Sequence, residues 1–151
     1  MKNRMIILIA VSIVLGGSFS IAAEETLAFQ VLVHASNPIK QLSKQDLSQL
    51  FLKKVKQWKD SNEAVLPVDL VDNSPVRQKF SERIHGREVA SIKAYWQKQI
   101  FSGRGVPPEE KKTEEEVLKY VAENSGAVGY IAEATKIEGY NVKVVEIVDN
   151  K

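Results

Sequence analysis

The segment Leu66-Pro67-Val68-Asp69-Leu70-Val71-Asp72-Asn73-Ser74-Pro75-Val76 combines a strand pattern with a helix start. Apolar residues dominate positions 66–71, which favours a buried strand. Asp72, Asn73 and Ser74 are helix-capping residue types, and a proline stands at the first helical position after them. Val76, Phe80 and Ile84 then follow at helical spacing. The segment therefore predicts a β-strand that leads directly into a helix closed by Gly86.

Strand and helix patterns alternate along the rest of the chain. Further strands are predicted at 29–33, 127–131 and 142–148. Further helices are predicted after the cap residues Ser43 and Thr113 and over 88–100, and the mixed charges of 109–116 are interpreted as the start of the last helix. This alternation predicts an α/β fold in which helices flank a mixed sheet.

The first 22 residues have the pattern of a secretory signal peptide. Lys2 and Arg4 precede an apolar run at 5–15, and small residues at Ser20 and Ala22 suit cleavage after Ala22 or after Ala23. The run is too short for a membrane anchor, which needs roughly 20 residues. No cysteine follows it that could carry a lipid. We expect a periplasmic, soluble mature domain spanning 23–151.

Composition excludes several classes of function. The leader holds two of the 21 basic residues and none of the 19 acidic ones, so the mature chain is close to neutral and predicts no nucleic-acid partner. Absence of cysteine rules out disulfides and thiol catalysis. His34 and His85, the only histidines, lack metal-ligand spacing. We expect no metal, no cofactor and no catalytic residues, because no nucleophile–base pair stands out.

Four stretches together resemble the phosphate-binding proteins of ABC transporters, within the periplasmic binding protein superfamily. They are 31–39, with its Asn-Pro turn; 42–60, which is similar to the family's L-S-x-x-D-L-x-x-I-F segment and following Trp; 72–80, at the place of D-x-S-G-T; and 126–131, similar to G-A-I-G-Y. Their order and rough spacing hold over about residues 28–147. The resemblance implies a single lobe of a type II periplasmic-binding-protein fold, corresponding to the family's second lobe.

The resemblance also implies a ligand-binding loop, with departures. Asp72 and Ser74 match the family pattern, whereas Pro75 replaces a glycine and cannot donate an N–H. Val76 replaces a threonine and has no hydroxyl. Arg77 is new, and Leu70 stands where the family often has an arginine. With only one lobe matched, we expect half of the usual cleft to be missing.

A helix start can hold an oxyanion through its free N–H groups. The ligand-binding set predicted here is Asp72, Ser74, Val76 and Arg77, with the Ser74 hydroxyl and the Arg77 guanidinium as donors. The alternative is that residues 72–74 only cap the helix and Arg77 is a surface charge. We also expect removal of Arg77 to take little from the core.

These residues favour a non-enzymatic, solute-binding-like protein that binds phosphate or another small oxyanion, alone or as a homodimer that rebuilds the cleft. The alternative is an interaction module that has lost its ligand and acts with a membrane transporter, porin or sensor. The cluster Lys53, Lys54, Lys56 and Lys59 is interpreted as a solvated basic edge. The larger aromatic residues are expected to pack the core, or near the loops to form a docking patch: Trp58, Tyr95, Trp96, Phe101 and Tyr130.

Overall fold

The computed structural model describes residues 28–149, and the predicted signal peptide lies outside them, so it stays a prediction. The strands are β1 Phe29–His34, β2 Gln41–Ser43, β3 Leu66–Leu70, β4 Glu109–Lys111, β5 Ala127–Ala132 and β6 Val142–Val148. The helices are α1 Lys44–Phe51, α2 Pro75–Phe80, α3 Val89–Phe101 and α4 Glu114–Glu123, and a π-helical turn, Ser81–His85, continues α2. The predicted α/β class is confirmed.

The six strands form one mixed sheet in the order β2-β6-β1-β5-β3-β4. β1 is antiparallel to both of its neighbours, β5 and β6. β3 is parallel to both β5 and β4, and β2 is parallel to β6. Because parallel neighbours need crossover connections, helices lie between these strands in the chain. The carboxyl ends of β3, β4 and β5 therefore meet at one edge of the sheet.

Helices cover both faces of the sheet. Along β5, a Cβ placed on Gly129 would come within 2.8 Å of Val117 in α4, so only glycine lets that helix approach so closely. The next side chain, Tyr130, points to the opposite face and stacks on Phe80 of α2 with ring centroids 3.8 Å apart. Phe51 of α1 completes this second layer at 5.6 Å from Tyr130. Alternation along one strand thus separates α4 from α1 and α2.

The predicted helix starts are confirmed by their caps. Ser43 accepts a hydrogen bond from the backbone N–H of Asp46 at 3.0 Å. Thr113 and Glu116 form a full capping box: the threonine hydroxyl accepts from the Glu116 N–H, and the glutamate carboxylate accepts from the Thr113 N–H at 3.1 Å. Gly86 ends the π-helical turn in the left-handed conformation, with φ of 62°.

Two sequence expectations were wrong: the helix start at 109–116 and the core position of Phe101. Glu109–Lys111 forms strand β4 rather than the start of a helix, and β2 was not predicted. In α3, Ile92 and Trp96 are buried but Ile100 is half-exposed. Phe101 does not pack in the core, because 91% of its surface is exposed. No helix within residues 28–149 is long and apolar enough to span a membrane.

Candidate functional site

Loop 71–74 lies at the carboxyl end of β3, beside the end of β4. The Val71 N–H donates to the Lys111 carbonyl at 3.0 Å, which ties the two strand ends together. The Ser74 N–H donates to the Val71 carbonyl at 3.0 Å and closes a tight turn. In α/β sheets, ligands bind beyond the carboxyl ends of the strands. This position makes the loop the candidate site that the sequence predicted.

Ser74 is the N-cap of α2. Its hydroxyl oxygen accepts a hydrogen bond from the Arg77 N–H at 3.4 Å, and Pro75 stands at the first helical position. The capping alternative for Ser74 therefore holds in the structure. The hydroxyl hydrogen remains free to donate, and the Val76 N–H makes no hydrogen bond to another described residue. The Val76 side chain itself is buried.

Asp72 is engaged by a surface lysine. Its carboxylate accepts a hydrogen bond from the Lys93 ammonium of α3 in a salt bridge between two half-exposed side chains. That hydrogen bond is the main reason why the pKa of Asp72 lies below its ordinary value. An ionised carboxylate at the mouth of the loop repels an incoming anion unless Lys93 offsets its charge.

Arg77 lies inside the protein, so the alternative that made it a surface charge was wrong. Only 4% of its surface is exposed. The guanidinium donates to the Leu70 carbonyl and to the Glu110 carboxylate, both at 2.5 Å, and lies 3.4 Å from a carboxylate oxygen of Asp69. Arg77 stands three residues before Phe80, so both lie on the face of α2 that packs against the core. This spacing was a signal in the sequence that Arg77 is buried. Sequence reasoning did not use that signal.

Asp69 is the buried partner that sequence reasoning missed. The Tyr130 hydroxyl donates to its carboxylate, and the Leu70 N–H donates to the same oxygen at 3.0 Å. Burial raises the pKa of Asp69, and the neighbouring Arg77 charge opposes that rise. Burial, followed by the Asp69 charge, raises the pKa of Tyr130 well above its ordinary value. A single acidic residue in the apolar strand pattern of 66–71 was the available signal.

The two histidines lie apart from this loop. His34 bonds to the Ser36 hydroxyl at 2.7 Å and to the Asn141 amide at 2.9 Å. His85 bonds to the Ser48 hydroxyl at 2.8 Å, with its ring edge against Phe80. Burial above all, then the charges of nearby arginines, lowers the pKa of His85 to about 4. A base that weak is poorly matched to activating Ser48 at neutral pH.

The aromatic and lysine residues singled out in the sequence lie outside loop 71–74. Trp58 and Tyr130 are buried as predicted, and the Trp58 indole N–H donates to the Gly126 carbonyl at 3.0 Å. The Lys53 ammonium donates to the Pro107 carbonyl at 3.1 Å, whereas Lys54 is exposed. Within residues 28–149, no group of three His, Asp or Glu side chains is placed to hold a metal ion.

Comparisons with known proteins agree with the fold. No protein-family model and no curated protein matches the sequence. Among solved structures, a Clostridium perfringens protein described as a phosphate ABC transporter substrate-binding protein, solved with bound phosphate, is 19% identical with a TM-score of 0.62. An ABC-type phosphate transport receptor from Vibrio cholerae is 18% identical (TM-score 0.64), and PstS from Borrelia burgdorferi is 14% identical (TM-score 0.57).

The matches cover most of this chain but only part of the others. Each alignment covers 80% of this chain, against 45%, 46% and 47% of the three solved chains. The chain thus spans less than half the length of the structures it resembles. At these identities the likeness concerns the fold alone: the described residues share the α/β fold of part of these solved proteins.

Proposed function

We propose that this chain is an exported, non-enzymatic binding protein of the phosphate-binding type. We further propose that residues 72–76, named loop 72–76 here because they join the end of loop 71–74 to the first two residues of α2, contact a small oxyanion such as phosphate. The observation that carries the proposal is the place of the loop. It joins the carboxyl end of β3 to the start of α2, within a lobe whose fold matches a protein solved with bound phosphate. The Ser74 hydroxyl and the Val76 N–H are the donors available there.

The same geometry limits the affinity of that contact. Asp69 and Glu110 already hold the Arg77 guanidinium, and Asp72 adds a negative charge beside the loop. The described residues supply one wall of a cleft, so a bound anion stays hydrated and screened by salt. We expect a dissociation constant in the mM range or weaker for this wall alone. A second copy or a partner that closes over the loop would strengthen binding.

Calorimetric titration with phosphate, sulfate and chloride tests the proposal. Wild type is expected to give a saturable response to phosphate. Ser74→Ala is expected to weaken that response about tenfold, because a hydrogen bond to a charged group is lost. Ser61→Ala, which removes an exposed hydroxyl at a distant turn, is the matched control and is expected to behave as wild type. Equal responses of all three proteins would contradict the proposal.

The second candidate is an interaction module that acts with a membrane transporter, porin or sensor without a small ligand. The engagement of Arg77 and Asp72 by other side chains favours it. If the chain is such an interaction module, titration with phosphate gives no saturable heat change, and binding of another protein does not depend on Ser74. The same set of variants therefore separates the two candidates.

A further inference from the structure

A groove of about 370 Å³ lies between the turn after α1 and the C-terminal end of α3. Tyr95 and Trp96 of α3 form part of its wall. Lys53, Lys54, Lys56 and Arg104 also line it, and none of its lining residues is acidic. The groove therefore combines an aromatic wall with positive charge from two separate segments of the chain.

Two hydrogen bonds hold the walls of the groove in place. The Lys53 ammonium donates to the Pro107 carbonyl at 3.1 Å, which ties the turn after α1 to the loop after α3. The Tyr95 hydroxyl donates to the Leu52 carbonyl at 3.4 Å across the same gap. The groove is thus formed before any partner arrives, which reduces the entropy lost on binding.

The positive charge in the groove is not neutralised by the protein. Lys54, Lys56 and Arg104 form no salt bridge with any residue in the range 28–149. Burial above all, and then repulsion by the Lys56 charge, lowers the pKa of Lys53. An anionic partner would relieve this repulsion.

Exposed apolar side chains lie close in sequence to the residues that line the groove. Phe101 is 91% exposed, Val106 63% and Ile100 51%, and all three belong to the end of α3 or the loop that follows it. Clustered exposed apolar groups beside aromatic residues are typical of protein interaction sites. The groove and the neighbouring end of α3 therefore provide both the positive charge and the exposed apolar surface of a docking site.

We propose that this groove docks an acidic segment of another protein, with an apolar side chain of that segment seated against Tyr95 and Trp96 and its carboxylates paired with Lys54, Lys56 and Arg104. A concave wall that mixes aromatic rings with cations fits an apolar side chain flanked by carboxylates. The site is separate from loop 72–76 and does not depend on phosphate binding at that loop.

The test uses a fluorescent synthetic peptide in which glutamates surround one leucine, with the full mature chain. Saturable binding on the order of 0.1 mM at low salt is expected. The triple variant Lys54→Glu, Lys56→Glu, Arg104→Glu is expected to bind at least tenfold more weakly. The matched control Lys40→Glu, Lys112→Glu, Lys136→Glu reverses three exposed cations outside the groove and is expected to bind nearly as wild type.

Two further measurements distinguish binding of a protein segment from binding of other anionic partners. Replacing the leucine of the peptide by glycine is expected to weaken binding several-fold, because the apolar anchor is lost. Vesicles of phosphatidylglycerol are expected to bind more weakly than the peptide. The proposal is overturned by no peptide binding, by equal loss in both triple variants, or by stronger binding to the vesicles through the same cations. Circular dichroism verifies that each variant is folded.

Discussion

The guanidinium of Arg77, in α2 just after the candidate loop, is held by three protein groups: the Leu70 carbonyl and the carboxylates of Asp69 and Glu110. A buried guanidinium carries a large desolvation cost, which its neighbours offset only as long as all of them are present. Within residues 28–149, Arg77 is the only cation that forms a salt bridge with Asp69. The role of Arg77 in the described residues is therefore first a structural one, whatever contact the loop makes with an anion.

Arg77→Ala is expected to lower the free energy of unfolding by about 3–5 kcal/mol, because it leaves the Asp69 carboxylate buried without a cation. Adding Asp69→Asn to this variant is expected to recover part of the loss. Lys93→Ala, which breaks the half-exposed pair with Asp72, is expected to cost less than about 1 kcal/mol. Urea unfolding measures all three. Equal losses in Arg77→Ala and Lys93→Ala would contradict this account.

His85 makes the fold sensitive to acid. Its pKa in the folded protein is about 4, below the ordinary value of 6.5, so protonation favours the unfolded chain. The stability due to the neutral ring is fully present above pH 6.5 and is lost as the pH falls towards 4. His85→Gln removes this titration. The wild type is expected to lose on the order of 2–3 kcal/mol more than this variant between pH 7 and pH 4. Parallel losses in urea unfolding would show that His85 does not titrate in this way.

At the scale of elements, the turn between α1 and β3 is secured by Trp58. Its buried ring packs in the core, and its indole N–H donates to the carbonyl of Gly126, just before β5. A Cβ at position 126 would lie 2.1 Å from the Ala64 carbonyl oxygen, so the two segments approach too closely for any other residue. These contacts explain why the segments around Trp58 and Gly126 are adjacent in space.

Trp58→Ala is expected to cost about 3–5 kcal/mol in the free energy of unfolding, since a large buried ring is lost. Trp58→Phe keeps most of the apolar volume and removes the indole N–H, so its expected cost is smaller, about 1–2 kcal/mol. The midpoints of urea unfolding give both values. An unchanged midpoint for Trp58→Ala would show that the ring does not support the core.

The strands and helices that could be predicted are those with a long local pattern. β1, β3, β5 and β6 are apolar runs, and α2 and α4 begin with strong capping residues. β2 and β4 are the two edge strands, each of three residues, and they exist because they pair with β6 and β3. So short and polar a segment as Glu109–Lys111 has no periodicity of its own to reveal it.

Only those parts of the candidate site that have a local sequence pattern could be predicted. The Ser74 cap and the proline after it are local signals and were found. The Asp69–Arg77–Tyr130 contacts join residues up to 61 positions apart, so only the folded chain brings them together. The capping residues predicted the position of the loop between β3 and α2. Contacts between residues far apart in the sequence decide which charged side chains near the loop are free to bind a ligand.

On the scale of the whole molecule, an expected export signal precedes the α/β domain. The signal rests on Lys2, Arg4, the apolar run at 5–15 and the small residues before Ala23. Mass spectrometry of the protein purified from its native host is expected to find a chain that starts at Ala23 or Glu24. A soluble form that retains Met1 would contradict export.

The most direct test of the central claim is backbone amide NMR of the mature protein during titration with inorganic phosphate. The account predicts saturable shifts of the Val76 and Arg77 amides at phosphate concentrations up to about 20 mM, strongly reduced in Ser74→Ala and unchanged in Ser61→Ala. It is contradicted if the amides of residues 72–78 do not move, or if they move equally in wild type and Ser74→Ala.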